Sequence, residues 1–90
     1  MKTGIEQITE ERVKQITKHG YTAYHDVVYQ NKELVDAAIA YLFTALGYDI
    51  FPENVRWPFS PKYFKNEGYV ESLKKAGAFI AAELDRLNVS

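Results

Sequence analysis

Three stretches of this chain repeat their apolar residues with the 3.6-residue period of a helix, and that constrains the fold more than any other feature. In the first, Gly4 to Lys18, the residues Ile5, Ile8, Val13 and Ile16 fall within one arc, and Gly20 supplies a stop. The second runs from Lys32 to Leu46, with Asn31 as expected N-cap and Gly47 as C′ residue. Its polar side narrows to Asp36, Ala40 and Thr44, so it is expected to be the most buried helix. The third, Tyr69 to Leu87, carries a stripe of Tyr69, Leu73, Ala76, Gly77, Ile80, Leu84 and Leu87, read as its core face. Between the first two lies GYTAYHDVVYQ. Thr22 there suits the cap of one short turn gathering Tyr21, Tyr24, His25 and Val28, with an irregular extended path as the alternative. From Tyr48 to Gly68 the chain holds three prolines and no helical period; a loop of about twenty residues inside a small domain is more often functional than not. The expectation is an all-α, single-domain fold of three helices, with a long aromatic and basic loop between the second and third.

Ninety residues make one small domain, and a chain this short leaves much of its surface unburied, so a second copy is a natural way to complete it. Eleven Lys and Arg against twelve Asp and Glu give a net charge of −1, which argues against coating nucleic acid or an anionic membrane through bulk charge. The absence of cysteine excludes a disulfide framework, a thiolate metal site and a cysteine nucleophile. The opening MKTGIEQITEERVK is charged throughout, and no apolar run reaches the length of a membrane span, so a cytoplasmic protein is expected.

Single residues refine this picture. Arg12 falls inside the apolar arc of the first helix, where a guanidinium needs an acceptor; Asp26, Asp36 and Glu83 are the candidates. Gly77 costs about 1 kcal/mol inside a helix, which implies close approach by another helix. Ala78, Phe79 and Ala82 lie off the expected core stripe, and they are expected to form the contact of a homo-oligomer.

Glu11-Arg12-x-x-Gln15-Ile16, Gly20-Tyr21-Thr22-x-x-His25-Asp26, Glu33-Leu34-x-x-Ala37-Ala38-x-x-Tyr41, Trp57-Pro58 and the third helix around Lys75-Ala76-Gly77-Ala78 together cover most of the chain. This pattern resembles a group of small phage and prophage proteins, in which a tryptophan commonly stands where this chain has Tyr21. A shorter likeness, in Gly20-Tyr21-Thr22 followed by Asp26, is to the ryanodine-receptor repeat domain, and implies a helical ligand-binding module rather than an enzyme.

Three constellations are capable of chemistry. His25-Asp26 is similar to the dyad of metal-dependent phosphohydrolases, but the only other histidine is His19, too few ligands for a two-metal site. Glu33 and Asp36, followed by Tyr41-Leu42, look like half of the signature of the all-α, MazG-type NTP pyrophosphohydrolases and share one helix face; the complementary acidic pair is missing. The loop from Asn54 to Asn66 carries Arg56, Lys62 and Lys65 with no acid, interleaved with Trp57, Phe59, Tyr63 and Phe64. Rings interleaved with cations suit a base-plus-phosphate ligand, while the same rings also suit plugging a gap between helices. The reading is a non-enzymatic binding protein of phage type. It would hold a nucleotide-like or other small anionic ligand between this loop and the Arg12, Tyr21, His25 and Asp26 corner, using Arg56, Trp57, Lys62, Tyr63 and Lys65. No cofactor is expected. The alternatives are a protein-interaction module acting on host machinery, and the Mg²⁺-dependent pyrophosphohydrolase with Glu33 and Asp36 as ligands.

Overall fold

The computed structural model describes residues 1–48 and 57–89. The fold is all-α: helices α1 (Gly4–His19), α2 (Ala23–Asp26), α3 (Glu33–Ala45) and α4 (Tyr69–Val89), with a 3₁₀ turn at Pro61–Tyr63 and no strand among the described residues. None of these helices is long and apolar enough to cross a membrane.

The helix ends follow from local chemistry. Thr3 and Glu6 form a reciprocal capping box, the Thr3 hydroxyl accepting from the Glu6 N–H and the Glu6 carboxylate from the Thr3 N–H. At the other end Gly20 takes φ +70°, and the N–H groups of Gly20 and Tyr21 bond the carbonyls of Ile16 and Gln15, closing the helix in a left-handed cap. Thr22 caps α2 by accepting from the His25 N–H at 3.2 Å, so the short turn forms and the extended path does not. The cap of α3 differs from expectation. Lys32 occupies the N-cap position at φ 66° without a side-chain cap bond, and the Asn31 N–H instead donates to Glu33 Oε1 at 2.8 Å.

α4 is the hub, packing against α1, α2 and α3, which among themselves make no comparable contact. Leu34, Ala37, Ala38 and Tyr41 of α3 and Ala76, Phe79 and Ala82 of α4 form the core, with Tyr29, Trp57, Phe59 and Phe64 packed against it. In the described part of the loop, Trp57, Phe59 and Phe64 therefore act as a plug. The Trp57 ring meets Tyr41, Phe59, Phe64 and Phe79, while Tyr63, Lys62 and Lys65 remain exposed.

The faces of the helices correct the sequence reading. On α4 only Ala76 of the expected stripe is buried; Leu73, Ile80, Leu84 and Leu87 are exposed, whereas Ala78, Phe79 and Ala82 are buried in the core. Small residues let α3 come close, and the single large ring among them fills the remaining space, so this side outcompetes the aliphatic one for the interior. Phe79, Ala78 and Ala82, expected at an oligomer contact, are thus taken up by the core of the single chain. α1 shows the same inversion: Ile5, Val13 and Ile16 are exposed, and Glu11, Arg12 and Gln15 are buried. On α3, Ala40 is buried although it falls on the expected polar side, and Val35, Ile39, Leu42 and Leu46 are exposed.

Candidate functional site

The site begins with a buried arginine. Arg12 donates from Nη1 to the Tyr21 carbonyl at 2.8 Å and to Gln15 Oε1 at 3.1 Å, and from Nε to Asp85 at 3.0 Å. Its partner is thus Asp85, none of the three acids expected, and Asp85 keeps 46% of its side chain in solvent. Arg12 ties α1 to α4 and to the chain entering α2, and so positions Tyr21.

Above it lies a cavity of about 320 Å³, at the small end of the roughly 300–1,000 Å³ of small-molecule sites. Its wall is mostly rings. Tyr21 stacks between His19 and His25, His25 meets Tyr29 edge-on, and Tyr29 meets Phe59, which stacks on Phe79. Tyr63, Leu34, Ala82, Ser60 and Gln15 complete it.

Asp26 lines this cavity with a side chain only 2% exposed. Its Oδ1 lies 2.8 Å from His25 Nδ1, while Oδ2 has no hydrogen-bond partner. A buried carboxylate oxygen left unpaired is costly, and this one belongs to a residue of the cavity wall. Gln15 is oriented in turn. Its Oε1 accepts from Arg12, which leaves the amide's Nε2 hydrogens as its remaining donors. Burial, then the nearby Tyr63 and Asp26 groups, raises the Tyr21 hydroxyl above the ordinary tyrosine range; burial followed by Asp26 raises Tyr29. Both stay neutral donors at physiological pH.

The cavity adjoins a groove of about 750 Å³, the two sharing Gln15, Tyr21, Phe59, Tyr63 and Phe79. Lys14, Lys18, Lys62, Lys65, Lys75 and His19 line it, against Glu11 and Glu67. Lys75 is neutralised by Glu11 and Glu67, each at 3.1 Å, and Lys14 lies 3.3 Å from Glu11. Lys18, Lys62 and Lys65 have no ion pair among the described residues, and Lys62 sits over the Tyr63 ring at 5.0 Å. The Lys65 N–H donates to the Tyr41 hydroxyl at 3.3 Å, fastening this part of the loop to the core.

Of the expected site residues, Tyr21, His25, Asp26 and Tyr63 line the inner cavity, while Trp57, Lys62 and Lys65 line the groove, Trp57 with its indole N–H donating to the Ser60 carbonyl. Arg12 stands beneath, and Arg56 lies outside the described residues. Glu33 and Asp36 line neither cavity nor groove, and among the described residues no group of three or more His, Asp or Glu converges on a metal-sized site. Sequence reasoning missed Gln15, Tyr29, Lys14 and Lys18. The spacing of Glu11, Lys14, Gln15 and Lys18 places them on one face of α1, a pattern that marks a polar face without saying that it borders a cavity.

Compared with known protein families, curated proteins and solved structures, the chain finds no match.

Proposed function

We propose that this protein is a non-enzymatic binding module of phage or prophage type that holds a nucleotide-like ligand, its base in the aromatic cavity and its phosphate in the lysine groove. The observation that carries the reading is the unpaired Oδ2 of Asp26, a residue of a ring-lined cavity that adjoins a groove holding three lysines with no ion pair among the described residues. Each part answers one half of a nucleotide. The rings stack on the base, Asp26 accepts from an amino or imino N–H on its edge, and Gln15 offers a donor to a ring nitrogen or carbonyl. Lys18, Lys62 and Lys65 supply point charges to phosphate oxygens. A bare anion satisfies only the groove, because a buried carboxylate repels it from the cavity. In a phage setting, tight holding without turnover would sequester a nucleotide signal.

The test is thermal unfolding in the presence of nucleoside mono- and diphosphates and cyclic dinucleotides, with and without Mg²⁺. The reading expects a Mg²⁺-independent rise in Tm; a ligand at a hundred times its Kd adds about 2.7 kcal/mol to stability. Mg²⁺-dependent release of pyrophosphate from an added nucleoside triphosphate would reject it in favour of hydrolysis.

A further inference from the structure

We propose that the nucleotide held here carries a positively charged base: the inner cavity takes the cationic ring of an N7-alkylated guanine, and the lysine groove takes its phosphate. The inference rests on the nucleotide reading above and names the class of base.

The two halves of the site have opposite polarity. Among the described residues, no lysine or arginine lines the inner cavity, and its one carboxylate is that of Asp26. The adjoining groove holds five lysines against two glutamates. A ligand that suits both halves is positive at one end and negative at the other. An ordinary purine nucleotide meets only the second condition, because its base is neutral. An alkyl group on N7 of guanine gives the ring system a full positive charge as long as N1 keeps its proton.

The charge in the cavity wall lacks a permanent counterion. The Asp26 side chain is 2% exposed, and its ion-pair partner is His25, which balances it only when protonated. Arg12 spends its guanidinium on Asp85, Gln15 and the Tyr21 carbonyl. The hydroxyls of Tyr21 and Tyr29 lie in the field of Asp26, which helps to raise both, yet neither donates to Oδ2. A carboxylate withdrawn from water gains more from an opposite charge than from one more neutral dipole. Coulomb attraction acts across several ångströms of low-dielectric wall, so the preference does not depend on the base touching Oδ2.

The rings act in the same direction, since an aromatic face attracts a cation. Both faces of Tyr21 are taken by His19 and His25, which leaves Tyr29, Phe59 and Tyr63 as the rings for a ligand. Where cavity and groove meet, one such contact is already made: Lys62 Nζ lies 5.0 Å from the centre of the Tyr63 ring. Gln15 selects the parent base. Arg12 holds its Oε1, so the amide offers N–H to a carbonyl such as guanine O6. The positions beside O6 carry the N1–H and amino donors, of the sign that Asp26 favours.

Calorimetric titration with GMP and 7-methyl-GMP at pH 7 and low salt, where charge effects are least screened, tests this. The expected result is 7-methyl-GMP binding at least 10-fold more tightly than GMP to the unmodified protein. In Asp26→Asn, which removes the charge and keeps the shape, the two should bind within about twofold of each other. GMP binding with a preference below 10-fold overturns this inference and leaves the nucleotide reading standing. No binding of either nucleotide at millimolar concentration overturns both, whatever else binds. A folded Asp26→Asn variant that keeps the full preference also overturns the inference, because the added methyl group would then act by contact and not by charge. If that variant fails to fold by circular dichroism, the ratio in the unmodified protein decides alone.

Discussion

Replacing Gly77 by alanine sets two known effects against each other, and the structure says which wins. An alanine in place of glycine inside a helix stabilises by about 1 kcal/mol when nothing opposes it. Here a Cβ on residue 77 would stand 2.6 Å from Ile8 Cδ1, 2.8 Å from Cγ1 and 3.3 Å from Cγ2. Ordinary carbon contacts lie at about 3.5–4.0 Å, so roughly 1 Å must be found. Rotating the end of the Ile8 side chain moves only Cδ1. Relieving Cγ1 and Cγ2 requires a new χ1 or a shift of α1, and α1 is tied to α4 by Glu11–Lys75 and Arg12–Asp85. Overpacking of this kind costs about 1–3 kcal/mol, so the net effect of Gly77→Ala is a destabilisation of about 0–2 kcal/mol. In an Ile8→Ala background the clash is gone, and Gly77→Ala becomes stabilising by about 1 kcal/mol. Urea denaturation of the four proteins at one fixed concentration, followed by circular dichroism, yields a coupling of about 1–3 kcal/mol. If Gly77→Ala stabilises equally in both backgrounds, Ile8 does not lie on Gly77 and the placement of α1 is wrong.

Arg12→Ala should cost about 2–3 kcal/mol in chemical denaturation. The loss comes chiefly from the orphaned Tyr21 carbonyl and Gln15 amide, because the half-exposed Asp85 can be rehydrated; a loss below about 0.5 kcal/mol would place Arg12 on the surface. Phe79→Glu should unfold the chain, because the ring packs on Tyr41, Trp57 and Phe59, and a folded variant by circular dichroism would contradict that core. Glu33→Gln with Asp36→Asn should leave nucleotide binding by calorimetry unchanged, since neither lines the site; loss of binding would move the site to α3. Stability should fall at both ends of the pH range. Burial raises Tyr21, Tyr29 and Tyr41, and the Glu11 and Glu67 carboxylates raise Lys75 against the opposing effect of its burial. The unfolded chain therefore releases these protons first, and stability is lost as pH climbs above about 10. The Glu71 and Glu83 carboxyls are lowered by Lys74 and Arg86, so stability is also lost as pH drops below about 4.5; urea midpoints at pH 4, 7 and 10.5 check both signs.

The helices were legible because their ends carry unambiguous chemistry, Gly20 stopping α1 and Thr22 starting α2. Which face of each helix is buried was not legible. The rule that large aliphatics go inside runs one way only: burial of Ala78, Phe79 and Ala82 depends on rings from a loop far away in sequence. A helix with apolar residues on two sides offers two cores, and α4 uses one for its own fold. At the site, Tyr21, His25 and Asp26 were legible because they crowd a single turn, and Tyr63 because it sits among cations. Gln15 was not, since a polar residue at a helix position gives no sign that Arg12 holds its amide at a cavity wall. Nor does Trp57, among cations in the sequence, reveal that its ring is spent on the core.

Asp26→Asn separates a binding role from a structural one in a single comparison. The free protein carries a buried carboxylate oxygen without a partner, so the amide variant should be as stable as the parent or more stable by about 1 kcal/mol. Affinity should fall about 10- to 100-fold, the equivalent of a charge-assisted hydrogen bond of about 1.5–3 kcal/mol. The most direct measurement is a heteronuclear NMR titration of the unmodified protein and Asp26→Asn with adenosine and guanosine monophosphates and a cyclic dinucleotide. The account predicts that at least one of these shifts the amides of Tyr21, His25, Asp26 and Tyr63 and the side-chain amide of Gln15, and that Asp26→Asn weakens the response while its Tm holds or rises. Silence from every nucleotide at millimolar concentration, or shifts confined to Leu73, Ile80 and Leu84 on the opposite face, would contradict it.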